Sequence, residues 1–363
     1  MSFDALRSPV QFLQQTGIRA DQNWLREYET WFEREGQGIS DAVDHAGTPW
    51  LRMFDLLGER VDEILYPPEY WHMLRHGYRA GVLWRVFEQN SLIPAYLLLY
   101  VTGFYDPGLA CPYTVSLSTV SPLSKYGEAE LKARFLPKML QRDDGVWQGA
   151  TWMTEIKGGS DLGAAVETVA TRDGNKWRLT GDKYFASNAG AELAVVAARP
   201  EGAPQNVRGL NLYLVPRRGE DGQLNYLIRR LKDKIATRSV PTGEIELRHS
   251  EGWLLGREEH GIYLILEVLN LSRVAQLGGD SRSACRGYAR LPGWLGKRCV
   301  YSTRYGRRSR RTRIGIICSV WSLTWPSTGQ QNLLCRLGNG PWKSTAGWGR
   351  CENIAWSAGC ARR

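Results

Sequence analysis

The spacing of apolar residues changes character twice along this 363-residue chain, and that change limits the folds it can adopt. Up to about residue 145 the spacing is typical of amphipathic helices. From 146 to 257 short apolar runs alternate with turn residues, and from Gly261 a helical period of about 3.6 residues returns. This order predicts an α+β protein with three successive parts. They are an all-helical N-terminal domain (1–145), a middle antiparallel β-barrel or sandwich (146–257) and the first helix of a C-terminal helical domain (258–277).

The N-terminal part contains signals for individual helices. Residues 1 to about 60 are polar with a helical pattern, and Trp24, Tyr28 and Trp31 share one helix face. Aromatic residues at this spacing are typical of a core rather than of a cofactor site. Two further helices are predicted, one that begins at Val61 and holds Pro67 and Pro68 in its first turn, and a buried, apolar one at Leu92–Tyr100.

The middle part contains strand and turn signals only. A hairpin turn is predicted at Arg172–Asn175, and no Gly-x-Gly-x-x-Gly motif follows a strand, which disfavours a Rossmann dinucleotide domain. The predicted strands are Gly149–Met153, Trp177–Thr180, Ala194–Ala198 and Leu210–Pro216.

Charge is distributed unevenly, so the net charge of +10 does not describe the body of the chain. Residues 278–363 hold 16 Lys and Arg against two acids, a net charge of +14, whereas residues 1–277 hold 31 basic and 35 acidic residues, a net charge of −4. The body of the chain therefore lacks the basic excess of a nucleic-acid-binding protein. No apolar run approaches the length of about 18 residues that a membrane span needs. The N-terminus carries Asp4 and shows no signal-peptide pattern, so a cytoplasmic protein is expected.

The segment 278–363 differs from the rest of the chain in more than charge. It contains six of the seven cysteines and six of the 15 tryptophans but neither Met nor Phe. The helical pattern that holds up to Ala275 is lost there. We interpret this as a shift of reading frame near residues 276–280; a genuine basic tail is the alternative.

Two other residue patterns are typical of metal or thiol sites. His72 and His76 lie one helical turn apart, but no third ligand accompanies them, so no metal site is predicted. Cys111 is the one cysteine in residues 1–277 and is interpreted as a buried structural thiol.

Four blocks of sequence occur in a specific order between residues 152 and 256. They are Trp152–Asp161 (WMTEIKGGSD), Gly181–Ala189 (GDKYFASNA), Arg230–Ser239 (RLKDKIATRS) and Gly252–Gly256 (GWLLG). In this order and spacing they resemble the middle β-domain of the flavin-dependent acyl-CoA dehydrogenase family, and most closely its AidB-like branch. The resemblance extends over roughly residues 60–277.

The resemblance implies FAD as the cofactor and a set of residues that contact it. Thr154 and the adjacent Met153 would lie along the pyrimidine and N5 side of the flavin, and Ser187 would lie beside N5. Phe185 would place a ring against the isoalloxazine. Without the resemblance, Thr154 reads equally well as a strand end, Phe185 as a barrel core residue and Ser187 as a turn cap. The complete implied set is Met153, Thr154, Gly159, Ser160, Phe185 and Ser187, with Gly159 and Ser160 near the pyrophosphate or the acyl-CoA.

The reaction that the resemblance implies is α,β-dehydrogenation of an acyl-CoA, with hydride transfer to the flavin and a carboxylate as base. Ser272 stands where some members of the family carry that Glu, and Glu352 does not match the alternative position near the C-terminus. The family's Arg-x-x-Phe-Gly segment is also absent. The catalytic base and the electron acceptor therefore stay unassigned, and the activity of this chain is open.

The resemblance also implies partners, and two other functions remain open. The expected partners are an acyl-CoA substrate and, as in the intact family, further copies of the chain. One alternative is an AidB-like flavoprotein that binds DNA through the basic tail, where Arg, Trp and Tyr are interleaved. The other is a flavin- or acyl-CoA-binding protein without catalysis.

The reading-frame hypothesis makes a prediction about the gene. The alternative frame after Ala275 is expected to encode amphipathic helices like those of the family's C-terminal domain. Sequencing the gene and translating the three frames checks this. An alternative frame without such helices would rule the hypothesis out.

Overall fold

Helices form most of the chain up to residue 139, as the sequence predicts. The structure is a computed structural model and describes residues 8–15, 23–46, 48–159, 161–163 and 165–289, with only the backbone described for 15, 46 and 276–289. The helices of this part are α1 (Pro9–Gln15), α2 (Asn23–Trp31), α3 (Gln37–Ala46), α4 (Pro68–Ala80), α5 (Trp84–Glu88), α6 (Ile93–Tyr105), α7 (Pro107–Tyr126) and α8 (Ala129–Met139).

Local sequence signals explain where these helices begin and end. Pro68 lies in the first turn of α4, where a missing N–H has no cost, and Gly81 ends the helix with φ +102°. The Asp106 side chain caps α7 by accepting a hydrogen bond of 2.8 Å from the Leu109 N–H. The aromatic stripe of α2 packs in the core, and Tyr28 is fully buried there.

Residues 50–65 correct the prediction of an entirely helical N-terminal part. They form an antiparallel hairpin of strands β1 (Trp50–Phe54) and β2 (Arg60–Leu65), so no helix begins at residue 61. The turn is specified locally, because the Asp55 carboxylate accepts hydrogen bonds from the Leu57 and Glu59 N–H groups and Gly58 adopts φ +86°.

A closed barrel follows the helices. Strands β4, β5, β9, β7 and β6 pair in this order, and β6 pairs with β4 to close the ring. Strand β3 extends the sheet from β6, and β8 pairs with β9. The strands are β3 (Gly149–Trp152), β4 (Val169–Asp173), β5 (Lys176–Ser187), β6 (Leu193–Pro200), β7 (Asn211–Pro216), β8 (Leu227–Leu231) and β9 (Thr242–Leu254).

The barrel is not purely antiparallel, which corrects the prediction in one respect. Strand β6 runs parallel to both β3 and β4. A parallel neighbour requires a crossover connection, and here the chain passes through β4 and β5 between β3 and β6. The predicted hairpin turn at 172–175 is confirmed, because Asp173 pairs with Lys176.

Strand β6 lies between the two hydrophobic cores. Leu193, Val195 and Ala197 pack against the helices, while the alternate residues Ala194 and Val196 fill the barrel interior. A strand buried on both faces needs a continuous apolar run, which is what its sequence contains. The helical layer and the barrel therefore meet through this strand.

Helix α9 (Gly261–Ala289) returns the chain to the helical layer, beginning at the predicted residue. Leu264, Ile265 and Val268 are buried in the core that α6 and α7 also form. The backbone continues helically beyond residue 277, whereas the tail from 290 onward lies outside the described residues. The predicted domain limits at 145 and 257 stay predictions. Across the described residues, no helix combines the length and apolar character that crossing a bilayer requires.

Two helical glycines should respond oppositely to substitution by Ala. At Gly77 in α4 an added Cβ would overlap the buried Tyr113 ring and hydroxyl, which donates to the Leu74 carbonyl. We expect Gly77→Ala to destabilise the fold by about 1–3 kcal/mol. Gly38 in α3 has open space around it, so Gly38→Ala should stabilise by up to about 1 kcal/mol. Urea denaturation of the full chain measures both, and equal effects at the two positions would contradict this packing.

Candidate functional site

The ends of β3 and β5, which carry two of the four sequence blocks, lie side by side. The Trp152 indole N–H donates to the Ser187 carbonyl at 3.1 Å. Two residues further on, the Tyr184 N–H donates to the Thr154 carbonyl at 2.9 Å. These two hydrogen bonds bring together predicted site residues that are about thirty positions apart in the sequence.

A β-bulge gives Phe185 an unusual conformation. The register between β5 and β9 shifts between Lys183 and Ala186, and Phe185 adopts φ +55°. Positive φ is strained for a bulky residue, and bulges commonly redirect a side chain next to a functional site. The Phe185 ring is half-buried, and the Lys232 Nζ lies over it at 3.6 Å from the ring centroid. The ring is thus held at the barrel edge rather than in the barrel core.

Two half-buried hydroxyl residues accompany this ring. Thr154 follows β3, and Ser187 ends β5. The Ser187 Oγ lies 3.5 Å from the Thr242 Oγ1, which also accepts a hydrogen bond of 3.1 Å from the Lys234 Nζ. Thr154, Phe185 and Ser187 therefore form a common edge with hydroxyl and aromatic character.

The other predicted residues are placed differently. The Met153 side chain is buried in the helical core, so it does not face this edge. Gly159 is exposed with φ +49°, but its N–H already donates a hydrogen bond of 3.4 Å to the Glu155 carbonyl within the turn. Ser160 lies outside the described residues.

A buried ion pair lies directly behind the edge, and the sequence interpretation missed it. The Lys183 ammonium donates to the Glu155 carboxylate, and both side chains are almost completely buried. Glu155 also accepts from the Glu167 N–H at 2.6 Å and from both the N–H (3.2 Å) and the hydroxyl (2.5 Å) of Thr168. Burial lowers the pKa of Lys183, and the charge and hydrogen bond of Glu155 oppose that shift.

A sequence signal for this pair exists. In β5 the alternation of inward residues runs through Trp177 and Leu179, and Lys183 occupies the same barrel-facing side. A lysine at a buried strand position requires a carboxylate partner. The neighbouring block offers two carboxylates, Glu155 and Asp161, and the structure shows that Glu155 is the partner.

The position expected for a catalytic base contains no carboxylate. The Ser272 Oγ on α9 lies 2.7 Å from the Ser118 Oγ on α7, and the two hydroxyls form a hydrogen bond between the helices. Five residues earlier on the same helix, Glu267 pairs with Lys125 and Tyr126. Burial raises its pKa, but these two hydrogen bonds outweigh that effect and leave the pKa below its usual value.

The histidines and the cysteine singled out in the helical part pack against neighbouring side chains and do not form a metal site among the described residues. His76 stacks on Trp31, with the ring centroids 4.0 Å apart, and burial lowers its pKa to about 4. Among the described residues no group of three or more His, Cys, Asp or Glu is placed to hold a metal. Cys111 is half-buried rather than buried, which corrects the prediction, because its helix faces the loop that carries Lys234 at this point.

Comparisons with known proteins identify both parts of this fold. Residues 150–250 match the acyl-CoA dehydrogenase middle domain, and residues 11–144 match the N-terminal domain of the adaptive response protein AidB. The chain belongs to the acyl-CoA dehydrogenase family, in agreement with the sequence blocks.

Individual relatives place it near the AidB-like branch. The chain is 30% identical over 261 residues to acyl-CoA dehydrogenase family member 11 of Caenorhabditis elegans and 29% identical over 240 residues to the putative acyl-CoA dehydrogenase AidB of Escherichia coli. These alignments cover 66% and 62% of this chain but only 42% and 43% of the relatives. The crystal structure of C. elegans ACDH-11 in complex with C11-CoA matches with a TM-score of 0.68 at 25% identity, covering 82% of this chain and 56% of that one. The chain thus spans less than half the length of the C. elegans family member 11 and the E. coli AidB sequences that it matches.

The buried pair should be strongly coupled. Lys183→Met or Glu155→Gln alone leaves a buried partner without its counterpart, so each should cost about 3–5 kcal/mol. The double variant should cost less than the two single costs added together, by at least about 1 kcal/mol. Urea denaturation of the four forms gives the coupling energy.

The exposed pair Lys157–Glu167 provides the matched control. Lys157→Met should change stability far less than Lys183→Met does, because solvent screens that exposed pair. Additive effects of Lys183→Met and Glu155→Gln would show that the two side chains do not depend on each other.

Proposed function

We propose that this chain binds FAD at the common edge of Thr154, Phe185 and Ser187, as part of a flavin-dependent acyl-CoA dehydrogenase. One observation carries the proposal. Two hydrogen bonds and a β-bulge converge to hold two hydroxyl residues and one strained aromatic ring at the same edge of the barrel. Membership of the family and the order of the four blocks support it.

The residues at this edge suit the ring system of a flavin. Hydroxyls such as those of Thr154 and Ser187 can donate to its polar nitrogen and oxygen atoms, and the Phe185 ring offers an apolar face. Ser in place of the family's Thr keeps the hydroxyl, while Phe in place of its Trp keeps the ring without the N–H. Met153 would contribute through its backbone, because its side chain is buried. When bound, the flavin would supply the hydride acceptor.

The proposed substrate is an acyl-CoA thioester, and the proposed reaction is the family's oxidation of a CH–CH bond. Support comes from the similarity to ACDH-11, whose structure contains C11-CoA. The α-proton would need a base, and Ser272, whose hydroxyl is hydrogen-bonded to Ser118 on α7, occupies the expected place on α9. A neutral hydroxyl is a weak base, so the residue at this place is poorly suited to remove the α-proton. Assembly with further copies of the chain and a cytoplasmic location are proposed with it.

Visible absorption of the purified full chain tests the flavin proposal. We expect oxidised-flavin bands, either on purification or after incubation with FAD and removal of the free cofactor. Thr154→Val and Ser187→Ala should each weaken FAD binding about three- to tenfold, as expected for one hydrogen bond. Thr171→Val, an exposed strand position on β4, is the control and should bind as the wild type does. A chain that retains no flavin under either condition would refute the proposal.

A further inference from the structure

A cavity of about 410 Å³ lies beside the proposed flavin edge, between the β1 hairpin and the loop that follows β8. Trp50, Leu51 and Met53 form an apolar wall on the hairpin side. The opposite wall is the segment 229–242. The volume falls in the range of about 300–1,000 Å³ that is typical of small-molecule sites.

The loop wall is strongly basic. Five cations line it against one acid, Asp233. Some of this charge is already neutralised, because Arg229 pairs with Asp182 and Glu246, and Arg230 pairs with Glu244. The five are Arg229, Arg230, Lys232, Lys234 and Arg238.

Lys234 and Arg238 differ from the two arginines because their contacts are with neutral groups. The Lys234 Nζ donates to the Thr242 hydroxyl at 3.1 Å, and an Arg238 guanidinium nitrogen donates to the Asp44 carbonyl at 3.2 Å. Within the part of the chain that the structure describes, neither forms an ion pair. Both side chains are half-buried, so each has lost part of its hydration without gaining a counter-charge.

The surroundings of Lys234 show the effect of this arrangement. Burial lowers its pKa to about 8. That value also includes two smaller effects, because the Cys111 thiol on α7 raises the pKa and the charge of Lys232 on the same loop lowers it. A half-buried ammonium next to other cations gains most from an anion that enters the cavity.

We propose that Lys234 and Arg238 bind a phosphate oxyanion in this cavity, with the apolar wall at Trp50 available to the organic part of a phosphate ester. An ammonium and a guanidinium facing one cavity suit the several acceptor oxygens of a phosphate. Free inorganic phosphate and the phosphate groups of coenzyme A share this chemistry. The site is separate from the proposed flavin edge but linked to it, because the Thr242 hydroxyl lies within 3.5 Å of Ser187 and bonds Lys234.

The first test titrates the full chain with inorganic phosphate by calorimetry, with chloride keeping the ionic strength constant. Lys234→Met and Arg238→Met should each weaken phosphate binding about tenfold or more, the loss expected for one charged hydrogen bond. Arg218→Met is the matched control, since Arg218 also donates to a backbone carbonyl, that of Gly222, but lies outside the cavity. The proposal is overturned if phosphate does not bind, or if the three variants bind it equally.

The second test uses pH. An oxyanion favours protonated Lys234, so affinity should be highest below about pH 8 and fall as the pH rises toward about 9.5. Lys234→Arg stays charged throughout this range and should bind with little pH dependence. The same decline in Lys234→Arg as in the wild type would contradict the assignment of the cation.

The third test distinguishes the two sources of phosphate. Coenzyme A and pantetheine, which lacks the nucleotide phosphates, are titrated into the wild type and Lys234→Met. Coenzyme A binding that Lys234→Met weakens, with none by pantetheine, assigns the site to the nucleotide of the coenzyme. Phosphate binding without such coenzyme A binding assigns it to the free ion. Neither result depends on flavin, so failure of the proposed function would leave this test intact.

Discussion

The candidate site depends on the buried ion pair between Glu155 and Lys183. Removing two charges from water is costly, and the cost is offset only when the geometry and the remaining hydrogen bonds are good. Here Glu155 accepts from Lys183, from the Glu167 N–H and from two groups of Thr168. Because Glu155 directly follows Thr154, and Lys183 lies two residues before Phe185, one interaction fixes both strands of the proposed flavin edge.

The bulge that follows Lys183 places the residues of the proposed flavin edge next to this ion pair. A regular strand would continue its alternation, but the register shift lets the Tyr184 N–H reach the Thr154 carbonyl and leaves Phe185 at φ +55°. Such strain costs on the order of 1–3 kcal/mol and persists only where the surroundings impose it. The Lys232 ammonium over the ring belongs to those surroundings, and it brings the basic loop against the same edge.

The sequence predicts the parts of this fold that local patterns determine. The apolar run of β6, the turn at 172–175 and the start of α9 each depend on neighbouring residues, and all three are confirmed. The β1 hairpin was missed because its turn signal, Asp55 with Gly58, lies within a polar stretch that also suits a helix. The parallel pairing of β3 with β6 depends on the course of the chain between them. Family resemblance supplied the site residues, but it did not show that the Met153 side chain is buried.

The layers of the fold separate two capacities that an acyl-CoA dehydrogenase needs together. The contacts described for the proposed flavin edge join residues of the barrel, between Trp152 and Ile245, so none of them involves the sequence beyond the barrel. The place expected for a base belongs instead to the helical layer, where α9 meets α7 through the Ser118–Ser272 hydroxyl pair. A change in the C-terminal part can therefore abolish proton abstraction while leaving the flavin edge intact. The chain spans less than half the length of these relatives, so its ability to bind the cofactor and its ability to remove a proton depend on different parts of the fold.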